Sequence, residues 1–286
     1  MSIRLSDVSY TYMPETPFER HALKNINLEI ARGEFVGIIG HTGSGKSTLV
    51  QHLNGLLKPT SGHVSVDGSS LYGKGAEAKK ARLRVGMVFQ YPEHQLFEET
   101  VEADIAFGPR NLGLSQEEIE RRVKSAMKFA GLDYEAFAAR SPFQLSGGQM
   151  RRVAIAGVVA LEPEYLVLDE PSAGLDPRGR DEIFREIQEL HTKTGTTVIL
   201  VTHNMEEVAR MATRLIVMNH GSIILDGSPV DIFKTGRAKL LAAGVDVPNV
   251  TNLMIELKAK GLDVDTTVLT AGEAADNIFT IVGGRG

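Results

Sequence analysis

The sequence contains 286 residues, of which 42% are hydrophobic and 23% charged, so it is long enough for one large domain or one domain with an appendix. Its formal net charge of −5 disfavours a general nucleic-acid-binding role and unaided attachment to anionic lipid. The absence of cysteine excludes disulfide bonds and thiolate metal sites.

Neither a secretory signal nor a membrane-spanning helix is indicated by the sequence. The first residues, MSIRLSDVSYTY, lack the continuous apolar run of a signal peptide. The longest apolar stretch, from Val153 to Leu161, has about half the length that a membrane-spanning helix needs. We therefore expect a chain that stays in the cytosol and reaches a membrane only through a partner.

The first third of the chain predicts two kinds of sheet. The runs IRLSDVSYTY and LKNINLEI are typical of strands at the edge of an antiparallel sheet. FVGIIG is a nearly continuous apolar run that enters a glycine-rich turn, and KSTLVQHLNGLL follows with helical spacing. This order predicts a buried strand, a loop and a helix.

The middle of the chain alternates between strand and helix patterns. HVSVDG and VGMVFQ predict strands, and residues 90–144 are mostly helical, with a capping box expected at Ser115 and Glu118. YLVLD and TVILVTH predict further buried strands, each preceded by a helix, and RLIVMNHGSIILDG predicts a hairpin. Such alternation indicates a mostly parallel sheet covered by helices on both faces.

The end of the chain predicts a small appendix. Beyond about Gly236 the apolar segments shorten, leaving one expected helix at NVTNLMIELKAKG and one expected strand at NIFTIV. We expect a main domain over residues 1–240, with a helical subdomain at about 91–160, and a C-terminal α/β appendix over residues 241–286.

A glycine-rich segment supplies the first chemical motif. It fits the pattern G-x-x-x-x-G-K-S/T and lies between a predicted strand and a predicted helix, where the pattern indicates phosphate binding. Its backbone N–H groups and helix start would cradle a phosphate, Lys46 would contact the β- and γ-phosphates, and Ser47 would bind Mg²⁺. The candidate nucleotide-binding residues are Gly40, His41, Thr42, Gly43, Ser44, Gly45, Lys46, Ser47 and Thr48.

Two carboxylates at the end of the strand YLVLD supply the second motif. Ligands bind open α/β sheets at the carboxyl ends of the strands. Asp169 is therefore expected to hold Mg²⁺, and Glu170 to act as the general base or to polarise the attacking water.

The third motif identifies a family. The segment LSGGQ, a serine and two glycines at a helix start, resembles the signature of ATP-binding cassette (ABC) ATPases, whose fold is a phosphate-loop core with an added helical subdomain. In that family the signature binds the γ-phosphate of ATP held by the opposite subunit. The resemblance implies ATP and Mg²⁺ as cofactors, ATP hydrolysis as the activity, and binding in trans by Leu145, Ser146, Gly147, Gly148 and Gln149.

Other family elements occur in the family's order. Gln90 matches the glutamine that senses Mg²⁺ and the attacking water, and His203 matches the switch histidine that contacts the γ-phosphate. Asp176 lies in SAGLD, which resembles the loop that communicates across the dimer. Tyr12 matches the aromatic residue that stacks on adenine, although a plain edge-strand tyrosine remains an alternative.

The segments YPEHQLFEETVEADIAFGPRNLGLS and SPFQLSGGQMRRVAIAGVVALEPEYLVLDEPSAGLDPRGR resemble the ATPases of energy-coupling factor (ECF) transporters. The opening VSYTYMPETPFERHALKNINLEI resembles the second of their two ATPases. The resemblance implies an importer of vitamins or other micronutrients, at the cytoplasmic face of the cell membrane. Its implied partners are a second ATPase, a transmembrane coupling protein and a substrate-specific membrane component, and the C-terminal extension would help dimerisation.

An acidic cluster follows Gln90 and is a candidate groove for arginines of the coupling protein. A solvated helix face is the alternative interpretation. The cluster consists of Glu93, Glu98, Glu99, Glu102 and Asp104.

Two other functions stay open. The chain could be the single homodimeric ATPase of a cobalt or nickel importer. A non-transport ABC ATPase of DNA repair or translation is the remote alternative. Repair ATPases carry a long coiled coil between the phosphate loop and the signature, and translation ATPases carry two cassettes on one chain; this sequence has neither.

Overall fold

A computed structural model describes residues 1–283 of the chain. Its strands form two sheets, one of four strands in the order β2-β1-β4-β5 and one of six in the order β10-β9-β3-β8-β7-β6. The strands are β1 (Ser2–Tyr12), β2 (Arg20–Ala31), β3 (Phe35–Ile39), β4 (Ser61–Val66), β5 (Ser69–Ser70), β6 (Val85–Val88), β7 (Tyr165–Asp169), β8 (Thr197–Val201), β9 (Arg214–Asn219) and β10 (Ser222–Gly227).

The two sheets differ in strand direction as the sequence predicts. All pairs of the four-stranded sheet are antiparallel. In the six-stranded sheet the pairs from β9 to β6 are parallel, and only the hairpin strand β10 runs the other way. The predicted mostly parallel core with an antiparallel edge subdomain is therefore confirmed.

Twelve helices are assigned in the described chain, and short 3₁₀ turns lie at Pro92–Gln95 and Pro142–Gln144. The helices are α1 (Lys46–Leu53), α2 (Ala76–Leu83), α3 (Val101–Asn111), α4 (Gln116–Phe129), α5 (Tyr134–Phe137), α6 (Gly147–Val159), α7 (Pro177–Thr194), α8 (Met205–Met211), α9 (Pro229–Thr235), α10 (Arg237–Ala242), α11 (Asn249–Ala259) and α12 (Ala271–Gly283). Within residues 1–283, no helix combines the length and the apolar character that crossing a bilayer requires.

The six-stranded sheet separates two apolar cores. Alternate residues of a strand point to opposite faces, so Ile38 packs with α1 and the small sheet, whereas Ile39 packs with the helices of the other face. The second core contains residues of α3 and α4, such as Ile105 and Val123. The helical subdomain is thus fixed to the sheet that carries the phosphate loop.

The predicted capping box at Ser115 forms only in part. The Ser115 hydroxyl accepts a hydrogen bond from the Glu118 N–H, but the Glu118 carboxylate binds Arg121 and Arg122. Because two guanidinium groups offer stronger charge-assisted bonds than one backbone N–H, the reciprocal half of the box is replaced. A complete capping box occurs instead at the start of α6.

The strand expected at NIFTIV is wrong. Residues 271–283 form the helix α12, and the described chain beyond β10 contains helices but no strand, so the appendix is helical and not α/β. Ala274, Ile278 and Ile281 recur with helical spacing and pack near Met254 of α11. The β-branched residues favoured a strand, but burial of this helical stripe outweighs that propensity.

Candidate functional site

A cavity of 1190 Å³ lies where three neighbouring parallel strands end. β3 leads into Gly40, β7 ends at Asp169, and β8 leads to His203. Because parallel strands have their carboxyl ends at the same edge of a sheet, residues far apart in sequence meet here. The cavity brings together the predicted phosphate loop, the predicted carboxylates and the predicted switch histidine.

The phosphate loop has a backbone that requires glycine. Gly40 has φ 152°, and a Cβ atom there would lie 2.3 Å from the carbonyl oxygen of Met218. Gly45 has φ 107°, and a Cβ atom there would lie 2.7 Å from the carbonyl oxygen of Ala22. These two glycines allow the loop to curl, and α1 begins directly after it at Lys46, with Lys46 and Ser47 in the wall of the cavity.

Lys46 is folded onto the loop that carries it. Its Nζ donates to the carbonyl oxygens of Gly40, at 2.7 Å, and His41, at 3.1 Å. Burial lowers the pKa of Lys46, while the nearby carboxylates of Glu170 and Asp169 oppose that shift. The ammonium group is thus a partly desolvated cation at the position predicted for the phosphates.

Asp169 is a buried carboxylate beside the first turn of α1. Burial raises its pKa, and a hydrogen bond from Ser47 and the charge of Lys46 act in the opposite direction. The Asp169 carboxylate and the Ser47 hydroxyl are hard oxygen donors, the type that Mg²⁺ prefers, so the donor set fits the predicted metal.

Glu170 and His203 are in direct polar contact at the cavity. His203 Nδ1 donates to Glu170 Oε1 at 2.9 Å and lies 2.8 Å from Oε2. Glu170 is 8% exposed and has the unusual φ of 53°, whereas the His203 side chain is 77% exposed. Oε2 of Glu170 makes no hydrogen bond with any residue that the structure describes.

Two more predicted residues line the same cavity. Gln90, just beyond β6, is exposed in its wall. Tyr12 also lines the cavity; its hydroxyl lies 3.2 Å from Oγ1 of Thr48, and its ring packs edge to face with the ring of Tyr10. Tyr12 therefore contacts Thr48, the residue of α1 that directly follows the phosphate-loop motif.

The signature segment lies outside this cavity. Ser146 caps α6 in a reciprocal capping box with Gln149, and both Ser146 and Gly147 are exposed. Asp176 caps α7 by accepting a bond from the N–H of Gly179 at 2.6 Å. These elements present helix starts at the surface, and the residues that line the cavity do not include them.

Comparison with known proteins identifies the family of the chain. The sequence profile of the ABC transporter family matches residues 23–173. The energy-coupling factor transporter ATP-binding protein EcfA2 of Clostridium perfringens is 55% identical over 99% of both chains, and that of Clostridioides difficile is 53% identical over 100% of this chain and 99% of its own.

The chain belongs to the ABC transporter family of ATP-binding proteins. Among solved structures, cbiO1 of Clostridium perfringens, part of the ABC transporter complex cbiONQ, is 37% identical with a TM-score of 0.73, covering 91% of this chain and 96% of its own. The ATP-binding cassette MJ0796, solved as a dimer bound to ADP and Pi, is 34% identical with a TM-score of 0.71, covering 79% of this chain and 98% of its own.

In this ABC ATPase the acidic cluster is divided between internal and free carboxylates. Glu93 binds the buried Arg151 through two bonds of 3.1 Å, and Glu102 accepts a bond from the Tyr134 hydroxyl at 2.8 Å. Asp104 accepts bonds from two backbone N–H groups at 2.9 Å. These three stabilise the fold of the segment after Gln90.

The remaining two carboxylates of the cluster, those of Glu98 and Glu99, make no hydrogen bond or ion pair with any residue that the structure describes. Glu99 is exposed, and Phe97 and Phe107 form an exposed edge-to-face pair nearby in the same segment. The part of the predicted groove that can receive a partner's cation is therefore narrower than the sequence indicated.

Several site residues of the ABC ATPase were not predicted. Arg20 lines the cavity and is the cross-strand neighbour of Tyr12, so its position follows once the β1–β2 register is known. Residues 244–247 and 249 also line the cavity, and the Asn249 N–H donates to Glu206 Oε1 at 2.9 Å. Only the fold places this C-terminal segment at the site, because no local motif marks it.

Proposed function

We propose that this chain binds ATP with Mg²⁺ and hydrolyses it as one of two ATPases of an ECF-type importer. The observation that carries the proposal is the contact between Glu170 and His203 at the cavity that also holds Lys46. A general base, a positioned imidazole and a cationic phosphate loop are the groups that phosphoryl transfer to water needs.

Two groups of cavity residues would bind the nucleotide. The ring of Tyr12 offers a face or edge for adenine, and the phosphate loop with Lys46 offers N–H groups and a positive charge to the phosphates. Lys46 would exchange its bonds to two loop carbonyls for the β- and γ-phosphates.

Ser47, Asp169 and Gln90 are the residues that would hold Mg²⁺. When bound, the metal would neutralise charge that develops on the phosphate oxygens. The burial that raises the pKa of Asp169 indicates a carboxylate without full solvation, which gains from a cation beside it.

Glu170 would act as the base. Its carboxylate lines the cavity, and Oε2 accepts no hydrogen bond from described residues, which leaves it an acceptor for a proton of the attacking water. The water oxygen forms a bond to the γ-phosphorus while the bond to the bridging oxygen of ADP breaks. His203, oriented by its bond to Oε1, would contact the γ-phosphate and keep the water in line.

A second subunit would complete the site. Ser146 and the glycines after it form an exposed helix start outside their own chain's cavity, which suits a γ-phosphate held by a neighbouring ATPase. MJ0796, whose structure is described as dimeric, supports a paired arrangement. Asp176 at the start of α7 would communicate between the two sites.

The remaining parts of the chain would serve assembly. A transmembrane coupling protein and a substrate-specific component would hold the chain at the cytoplasmic face of the membrane, with Glu98 and Glu99 as contacts for the coupling protein's cations. The close similarity to energy-coupling factor ATP-binding proteins supports this assignment, with vitamins or related micronutrients as substrates. Residues 241–286 would assist pairing; residues 284–286 lie outside the described chain.

The homodimeric ATPase of a cobalt or nickel importer is a second candidate, favoured by the similarity to cbiO1. Affinity purification from the native membrane decides between the two. A second, non-identical ATPase in the purified complex supports the ECF-type importer, whereas a complex whose only ATPase is this chain supports the second candidate. ATP hydrolysis by either complex that is lost in Glu170→Gln supports the proposed chemistry.

A further inference from the structure

A buried carboxylate next to the site has no role in the chemistry described so far. Glu207 lies in the first turn of α8, four residues after His203, and is 5% exposed. Burial raises its pKa, while two hydroxyl donors and the charge of Arg180 lower it and the nearby Glu170 raises it. A buried carboxylate is unfavourable unless its oxygens are satisfied, so its contacts define its function.

Each oxygen of Glu207 binds a different loop of the site. Oε2 accepts a bond of 2.8 Å from the hydroxyl of Thr202, which is fully buried and directly precedes His203. Oε1 accepts a bond of 3.0 Å from the hydroxyl of Ser172, two residues after Glu170. A hydroxyl has one proton to donate, so both groups are oriented toward this carboxylate.

The two loops have further bonds that make their positions depend on Glu207. Thr202 Oγ1 also accepts a bond from the Asn204 N–H, which fixes the backbone on both sides of His203. On the other loop, the Ala173 N–H donates to the carbonyl oxygen of Glu170. A shift of Ser172 or of Thr202 would therefore change the distance between the Glu170 carboxylate and the His203 ring.

The loop between β7 and α7, residues 170–176, is called the Ser172 loop. We propose that Glu207 is a positioning residue that keeps Glu170 and His203 in contact by joining the Ser172 loop to the end of β8. It touches neither of the two side chains through a hydrogen bond and acts through Ser172 and Thr202. The Ser172 loop continues to Asp176, so the same connection would transmit movement of this loop to His203. This inference rests on the proposed hydrolytic function.

A double-mutant cycle tests the connection. Glu207→Ala, Ser172→Ala and the double variant are assayed as the assembled complex for kcat, KM, Kd for ATP and Tm. Because displacing a positioned group by about 1 Å can lower a rate by about 100-fold, we expect Glu207→Ala to lower kcat by about tenfold or more with little change in Kd. The double variant should be no slower than Glu207→Ala, since both changes break one connection.

A matched control separates positioning from stability. Tyr72→Phe removes another hydroxyl from the interior, which donates to the carbonyl oxygens of His52, at 3.1 Å, and Leu57, at 2.7 Å, outside the cavity. It should lower Tm and leave kcat unchanged. If Glu207→Ala does not fold, the cycle is repeated with Glu207→Gln, in which the effect of Ser172→Ala should be smaller than in the unmodified chain.

The outcomes are distinguishable. An unchanged kcat in Glu207→Ala, or losses that multiply in the double variant, would overturn the role of Glu207. An effect of Ser172→Ala that is equal in the Glu207→Gln variant and in the unmodified chain would do the same. If the unmodified complex bound ATP but hydrolysed none, the proposed function itself would fail, whatever the variants showed.

Discussion

His203 Nδ1 lies 2.9 Å from Glu170 Oε1, although the two residues are 33 positions apart in the sequence. They meet because β7 and β8 are parallel neighbours and both deliver their next residues to one edge of the sheet. One carboxylate oxygen of Glu170 is occupied by the imidazole and the other is left without a hydrogen bond from described residues. Because Oε2 also lies 2.8 Å from the same imidazole nitrogen, the contact orients the whole carboxylate at the cavity.

Replacing Glu170 with glutamine should stop turnover without preventing ATP binding. The amide keeps the shape of the side chain but cannot accept a proton at the working pH, so we expect kcat to fall by about 100-fold or more. Phosphate release and the Kd for ATP are the measurements. Glu164→Gln, a change outside the cavity-lining residues, is the control. Hydrolysis at the unmodified rate would rule out Glu170 as the base.

Replacing Lys46 with alanine should instead weaken nucleotide binding. A charge-assisted hydrogen bond contributes about 1.5 to 3 kcal/mol, so the Kd for ATP should rise by about 10-fold to 100-fold. Calorimetric titration with MgATP measures this change. Lys58→Ala, at an exposed position after α1, provides a control of equal charge. An unchanged Kd in Lys46→Ala would place the phosphates elsewhere.

Asp169→Asn should stabilise the free chain at neutral pH. Burial raises the folded-state pKa of Asp169 above its ordinary value of 3.8, so the folded state binds more protons and loses stability as pH rises through that folded pKa. Asparagine does not carry this cost. We expect a Tm higher by a few degrees, since about 1 kcal/mol shifts the Tm of a chain of this size by about 2 to 4 °C.

The pH dependence of that difference is the check. Thermal melts of both proteins without nucleotide, from neutral pH to below the ordinary pKa of Asp169, should show the gain shrinking as the pH falls. MgATP should raise the Tm of the unmodified chain more than that of Asp169→Asn. A gain that grew toward acidic pH would contradict the assigned cause of the shift.

Reversing the charge of Glu98 and Glu99 to lysine should release the chain from its membrane partner. These are the two acidic-cluster residues without a recorded side-chain partner among the described residues, so the change should leave the fold and the Kd for ATP intact. Co-purification with the coupling protein is the measurement. The control is the double variant Glu77→Lys and Glu117→Lys, on α2 and α4, which changes the net charge by the same amount. Retained assembly would refute the contact.

The sequence predicted the chemistry of the site better than its surroundings. The phosphate loop, Asp169 and Glu170 lie beside strand ends, where local pattern is sufficient to place them. Arg20, the C-terminal segment at 244–249 and Glu207 were missed because their positions depend on strand register and on long-range packing. No pattern of neighbouring residues in the sequence predicts such contacts.

Two further features depend on contacts that the sequence does not show. NIFTIV contains β-branched residues typical of a strand, but its apolar positions also fit a helical stripe, and packing against α11 decides between them. Glu93, Glu102 and Asp104 were predicted as candidate contacts for a partner's arginines, and in the structure they also bind Arg151, Tyr134 and two backbone N–H groups within the chain. A linear sequence does not reveal which charges are already paired.

The central claim is that two ATPase chains pair around ATP. Measuring whether the molar mass in solution doubles when MgATP is added tests this claim most directly. Light scattering would measure the Glu170→Gln chain, alone and with its second ATPase, with MgATP or MgADP, and again after adding Ser146→Arg. We predict that MgATP, but not MgADP, drives pairing, and that Ser146→Arg abolishes pairing while the chain still binds ATP. ATP binding without any pairing, or pairing that survives Ser146→Arg, would contradict the account.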